Sequence, residues 1–96
     1  MDALEKMFDE IWAANEQYLA HKKTEVILDE RYSLIWYIKK KGVLGKDLLY
    51  IGLQDKNNKF ASKYWGRSYK PGTKITPSSF KRLKEVVMSF CKTLQE

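Results

Sequence analysis

The chain has 96 residues, of which 44% are hydrophobic and 31% charged, with a formal net charge of +6. That length is enough for one ordinary domain and too short for two, and the composition is globular rather than disordered. No window is apolar enough to span a membrane, and the single cysteine leaves no partner for an internal disulfide. The acidic N-terminus lacks the basic and apolar blocks of a secretory signal, so a soluble, intracellular protein is expected: host or bacterial cytoplasm, or nucleus in a eukaryote. A core this small is thin, and a partner subunit would help it.

In chain order, the first element reads as a helix. Leu4, Met7, Phe8, Ile11, Trp12, Tyr18 and Leu19 recur at spacings of three and four, with acids on the other face. The helix is expected to end near His21-Lys22-Lys23, where positive charge suits a C-terminus. Residues 24–30 read as a short strand or an extended connector. From Arg31 to Lys41 the even positions Tyr32, Leu34, Trp36 and Ile38 are apolar, the period of a half-buried strand. Gly42-Val43-Leu44-Gly45 reads as a turn, Asp47 to Gln54 as a second strand, and Asp55-Lys56-Asn57-Asn58 as a polar turn. Lys59 to Tyr69 reads as a third strand, bent near Gly66. After the turn Lys70-Pro71-Gly72 a short strand ends near Ile75. Thr76 is then a good N-cap and Pro77 a good first residue for a helix carrying Phe80, Leu83, Val87, Phe90, Cys91 and Leu94 on one face. The expected fold is α+β: an N-terminal helix, a curved antiparallel sheet of about four strands, and a C-terminal helix.

Charge is unevenly divided along this order. Residues 1–20 carry a net −4, so the remainder carries +10. Between Asp55 and Glu85 there are nine basic side chains and no acid. A field of that kind attracts a polyanion.

The residues give catalysis little support. His21 stands at a predicted helix end, and Cys91 lies on an apolar stripe without a histidine near it in sequence. No Cys/His set has metal-ligand spacing and no glycine cluster could cradle a phosphate, so no catalytic residue, metal or cofactor is expected.

The basic stretch is more informative. On the third strand Lys59, Lys63, Trp65, Arg67 and Tyr69 share one parity and therefore one face. Alternating cations and rings suit a single-stranded nucleic acid, because cations track phosphates while rings stack unpaired bases. Alternatively, Trp65 and Tyr69 belong to the core of a small sheet. Tyr37, Lys39 and Lys41, on the wettable face of the first long strand, are further candidate contacts.

From about Arg31 to Leu94 the chain resembles the positive cofactor 4 family of transcriptional coactivators and its bacterial and phage relatives. The resemblance is carried by the hairpin pattern, by Tyr64-Trp65, by Lys70-Pro71-Gly72-Thr73-Lys74, and by the phrase TPSSFKRLKEVV. It implies a four-stranded curved sheet, dimerisation through the C-terminal helix, and single-stranded DNA binding with little sequence preference in transcription, replication or recombination. It further implies that Trp65 stacks a base and that Lys70 and Lys74 contact the backbone. The N-terminal helix, residues 1–23, lies outside it, so that residues 24–96 are the coactivator-like part of one compact domain.

The apolar residues of the last helix extend beyond one stripe, through Val86, Met88 and Cys91. A homodimer using Phe80, Leu83, Val87, Phe90 and Leu94 is therefore expected. The acidic first helix is expected to cover the back of the sheet, with competition for the basic surface as the alternative. RNA binding by the same face, or docking on a replication or transcription protein, are the rival functions.

Overall fold

The apolar stripe of the first segment closes into α1 (Asp2–Glu16), which buries Leu4, Met7, Phe8, Ile11 and Ala14 completely or nearly so. In the computed structural model, which describes residues 2–41, 45–58 and 63–94, this helix is followed by β1 (His21–Ile27), β2 (Tyr32–Lys39), β3 (Asp47–Asp55), β4 (Lys63–Tyr69) and α2 (Pro77–Leu94). The strands form one antiparallel meander in the order β1-β2-β3-β4. Both helices lie against one face of it. The α+β architecture expected from the sequence is the one observed. No helix among the described residues is long and apolar enough to cross a membrane.

Two boundaries differ from the sequence reading. α1 stops at Glu16, well before His21, because Tyr18 adopts a left-handed backbone with φ of 58°. The amide of Leu19 donates to the Ala14 carbonyl and that of Tyr18 to the Asn15 carbonyl, the paired bonds of a Schellman cap. Tyr18 and Leu19 thus leave the buried stripe and are exposed. The chain released there forms β1, beginning at His21, so the basic residues read as a helix end are instead the start of an edge strand. The short strand expected before Ile75 is absent: residues 70–76 are a connection in which Asn15 supplies the hydrogen bonds that a neighbouring strand would. Residues 42–44 of the turn expected at 42–45, and the strand start expected at 59–62, lie outside the described residues, while Gly45 has the left-handed φ of 72° that suits a turn.

The core is built in registered rows. Leu34 stands opposite Leu53, Trp36 opposite Ile51, and Ile38 opposite Leu49. Trp65 continues the row from the far side of Ile51. α2 adds Leu83, Val87 and Cys91, one residue per turn. Its N-terminus is capped as expected, the Ser79 amide donating to Thr76 Oγ1 at 3.2 Å. The helices meet each other through Phe80, whose ring lies 6.0 Å from Phe8 and 4.9 Å from Trp12. α1 therefore covers the back of the sheet. Its acids reach basic neighbours at the rim, Glu5 to Lys84 at 2.9 Å and Glu16 to Lys74 at 3.1 Å.

Candidate nucleic-acid interface

Alternation along each strand leaves a second, uncovered sheet face. β2 sends Ile35, Tyr37 and Lys39 to it, β3 sends Leu48, Tyr50 and Gln54, and β4 sends Tyr64 and Ser68. Its centre is aromatic. Tyr37 and Tyr50 are directly opposed across β2 and β3, with ring centroids 4.9 Å apart and planes 17° from parallel. Tyr64 stacks on the other side of Tyr50 at 5.9 Å, again 17° from parallel. Gly52 makes this ladder possible. A Cβ there would lie 2.7 Å from the Tyr50 hydroxyl and 2.8 Å from its ring carbon, so the ring leans over bare backbone toward Tyr64. Centroid gaps of this size are already stacking distances, so no base fits between the rings. The free stacking surfaces are the outer ones, above all that of Tyr64, which is 69% exposed at the sheet edge.

The meander also sorts charge along the strand axis. β1 begins with Lys22 and Lys23, β2 runs out into Lys39, Lys40 and Lys41, Lys46 leads into β3, and β4 runs out into Lys70. Because neighbours are antiparallel, all of these fall at one end of the sheet. Lys74 joins them beside Tyr18, its ammonium 5.2 Å from the ring centroid. The opposite end carries Asp29, Glu30 and Asp55 against Arg31, Lys56 and Lys63. Arg31 forks onto Asp55 with bonds of 3.0 and 2.9 Å, which hold that carboxyl below its ordinary pKa.

Besides Glu16, which pairs with Lys74, the basic end holds Asp47, which is buried and multiply bonded. It accepts from the Lys41 amide at 3.0 Å and from Lys40 Nζ at 3.1 Å. The Lys41 amide foremost, helped by Lys40 and the Gly72 amide, keeps its pKa below the usual value. Asp47 thus gathers the β2–β3 connection and the Pro71-Gly72 turn around one carboxylate. Tyr18, Lys40, Lys41, Asp47, Pro71 and Gly72 line a shallow cleft there.

The residues singled out from sequence divide accordingly. Tyr37, Lys39, Lys41, Lys70 and Lys74 come together at or beside the basic end. Trp65 does not join them. It shares a face with Lys63, Arg67 and Tyr69, as its parity required, but that face is the one covered by the helices. The ring is 8% exposed and meets Phe90 edge-on at 5.6 Å, so it is a core residue and not an open stacking surface. Tyr69 is half-buried there, beneath Lys40. Lys63 lies over Phe90 at the far end of β4, and Arg67 donates to the Gly66 carbonyl beside the start of α2. Lys59 is outside the described residues. Leu83 and Val87, expected at a dimer interface, are buried in the monomer's own core, while Phe80, Phe90 and Leu94 are half-buried against it. Sequence reasoning missed Tyr50 and Tyr64. Both have the parity of the open face, and Tyr64 adjoins the tryptophan that drew attention to the strand.

The fold and this surface define a small α+β domain with one helix-covered sheet face, one open tyrosine-bearing face and a lysine-rich end. Comparisons with protein families, curated proteins and solved structures gave no match for the chain.

Proposed function

We propose that the protein binds single-stranded nucleic acid on the open face of its sheet, with single-stranded DNA as the intended ligand and transcription, replication or recombination as the setting. The observation that carries this reading is the Tyr37–Tyr50–Tyr64 ladder beside the lysine-rich end. An unpaired base has a flat face for the outer surface of Tyr64, whereas a duplex hides its bases within the stack. Lys39, on the same face, and Lys41, Lys46 and Lys70 beyond the strand ends are placed for phosphates. Backbone contacts of this kind are indifferent to sequence. The resemblance noted in the sequence supports the same ligand, although the stacking ring is now Tyr64 rather than Trp65.

A fluorescence titration with labelled oligo-dT, its duplex and a matched RNA tests the proposal. Salt-sensitive binding of the single strand, stronger than of the duplex and weakened by Tyr64→Ala, is expected. Equal binding of RNA would move the ligand from DNA to RNA. No oligonucleotide binding at low salt would overturn the reading and favour a protein-docking role.

A further inference from the structure

The chain has three arginines, and the fold divides them. Arg31 is committed to Asp55. Arg67, from β4, and Arg82, from α2, instead line one cleft together with Ser78 and Ser79. No acid lines that cleft, and among the described residues neither of the two arginines forms an ion pair. Arg67 Nη1 donates to the Gly66 carbonyl at 2.8 Å, which fixes the guanidinium at the β4 edge of the sheet and leaves its other N–H donors open. Two guanidiniums sharing a cleft without a carboxylate repel one another, and an anion between them removes that repulsion. Phosphate suits best, because the planar fork of an arginine matches its oxygens two at a time and serine hydroxyls can donate to the rest. The helix terminus is not the source of these donors. The Ser79 amide is already bonded to Thr76 Oγ1 and the Phe80 amide to the Thr76 carbonyl, so the cleft is a side-chain site built from two elements.

We propose that this cleft holds a phosphodiester of the same single strand whose base stacks on Tyr64, so that the strand leaves the open face over the β4 edge and continues along the start of α2. The inference rests on the open-face reading above and adds a second surface to it. Its path follows from the tyrosine ladder. Tyr50 covers the inner side of Tyr64, so the open ring surface of Tyr64 faces away from β3, outward past the last strand of the sheet. A base stacked there stands beyond the sheet edge, and its backbone stands at that edge too. The Gly66 carbonyl, where Arg67 is anchored, lies two residues further along β4, about 7 Å. The ring therefore meets the strand on one side of the edge and the two arginines meet it on the other. The chain from β4 into α2 favours this route, since no acid occurs between Asp55 and Glu85.

The test compares Arg82→Gln with Lys81→Gln in the full chain. Both residues are exposed on α2 and both substitutions remove one positive charge, but only Arg82 lines the cleft. Circular dichroism checks that each variant keeps the fold. In titrations with labelled oligo-dT over a range of salt, Arg82→Gln should weaken binding about tenfold. It should also flatten the slope of log affinity against log salt by about 0.7, the share of one phosphate contact on a single strand. Arg67→Gln should do the same. Lys81→Gln should change affinity by less than about threefold, because a charge that touches no phosphate acts only through a screened field. Arg82→Lys keeps the charge and loses the fork, so it should restore the slope and only part of the affinity. Equal effects of Arg82→Gln and Lys81→Gln, with Tyr64→Ala still weakening the complex, would overturn the cleft and leave the open-face reading standing. A wild type that binds no oligonucleotide would remove both.

Discussion

Asn15, on the last turn of α1, exchanges two hydrogen bonds with the backbone of Ile75, sixty residues further along the chain. Its amide nitrogen donates to the Ile75 carbonyl at 3.1 Å, and its oxygen accepts from the Ile75 amide at 2.8 Å. The side chain acts as a one-residue strand, satisfying a buried stretch of connection that no ladder reaches. Asn15→Ala leaves both backbone groups buried and unpaired, and a loss of about 2–4 kcal/mol is expected. A lower urea midpoint at unchanged slope is the measurement. Asn15→Asp keeps the acceptor alone and should fall between the two.

Trp65 and Tyr64 are adjacent in sequence and opposite in consequence. Trp65→Ala opens a hole beneath Phe90 and is expected to cost about 3–5 kcal/mol of stability. Tyr64→Ala removes an exposed ring and should change stability by less than about 1 kcal/mol. Its effect belongs to ligand affinity, a loss of about 1–3 kcal/mol with the salt dependence unaltered, because stacking releases no counterion. Parallel thermal melts and oligo-dT titrations separate the two. The assignment of faces fails if the tryptophan variant melts like wild type.

Gly52→Ala tests the ladder itself. The added methyl would sit within 3.0 Å of the Tyr50 ring, which must swing away. The near-ultraviolet circular dichroism of the stacked tyrosines should fall while the far-ultraviolet spectrum holds. Unchanged aromatic signal would mean that the ring finds another route past the methyl.

Acid should weaken the fold through Asp47. Its folded pKa lies below the ordinary 3.8, so its contribution is fully present above that value and is lost as pH falls toward the folded pKa. Asp55, held down chiefly by its bonds from Arg31, titrates in the same direction. Stability should therefore be level from neutrality to about pH 5 and fall below pH 4. Asp47→Asn should reduce that acid slope without abolishing it. An unaltered slope would show that the carboxylate gains nothing from its three donors.

Cys91 reports on opening of the α2 layer. Burial pushes its thiol up to about 11, so almost no thiolate is present at pH 8 and the side chain is inaccessible besides. A thiol reagent should label it only as fast as the protein unfolds. Rapid labelling in the absence of denaturant would show that α2 detaches locally.

Much of this architecture was legible in the sequence because it rests on local signals. The Thr76-Pro77 cap and the stripe of Leu83, Val87 and Cys91 announce α2, and the alternation from Tyr32 to Ile38 announces β2. Parity also grouped Lys63, Trp65, Arg67 and Tyr69 correctly. What parity cannot supply is which side of a strand meets the helices, since that is decided by the strand's partner. Trp65 lies opposite Ile51, and Ile51 opposite Trp36, so the tryptophan is drawn into the core row. The start of β1, which the sequence puts at residue 24 as a strand or connector, is shifted to His21 for a related reason. His21-Lys22-Lys23 suits a helix C-terminus on charge alone, and the left-handed turn at Tyr18 that ends the helix earlier occurs at a residue type seldom found there. The tyrosine ladder needed the cross-strand register before Tyr37, Tyr50 and Tyr64 could be seen as neighbours.

The gathering of lysines at one end of the meander gives the molecule a directional field. Along the strand axis the potential runs from strongly positive to near neutral, so an approaching polyanion experiences a torque as well as an attraction. It turns toward the lysine end before any surface touches, over separations of about 10 Å at moderate salt. If the proposed ligand binds there, the encounter rate should carry most of the ionic-strength dependence, and escape from the tyrosine face should be governed by short-range stacking. Capture and retention would be separate properties of the same small sheet, adjustable by different residues.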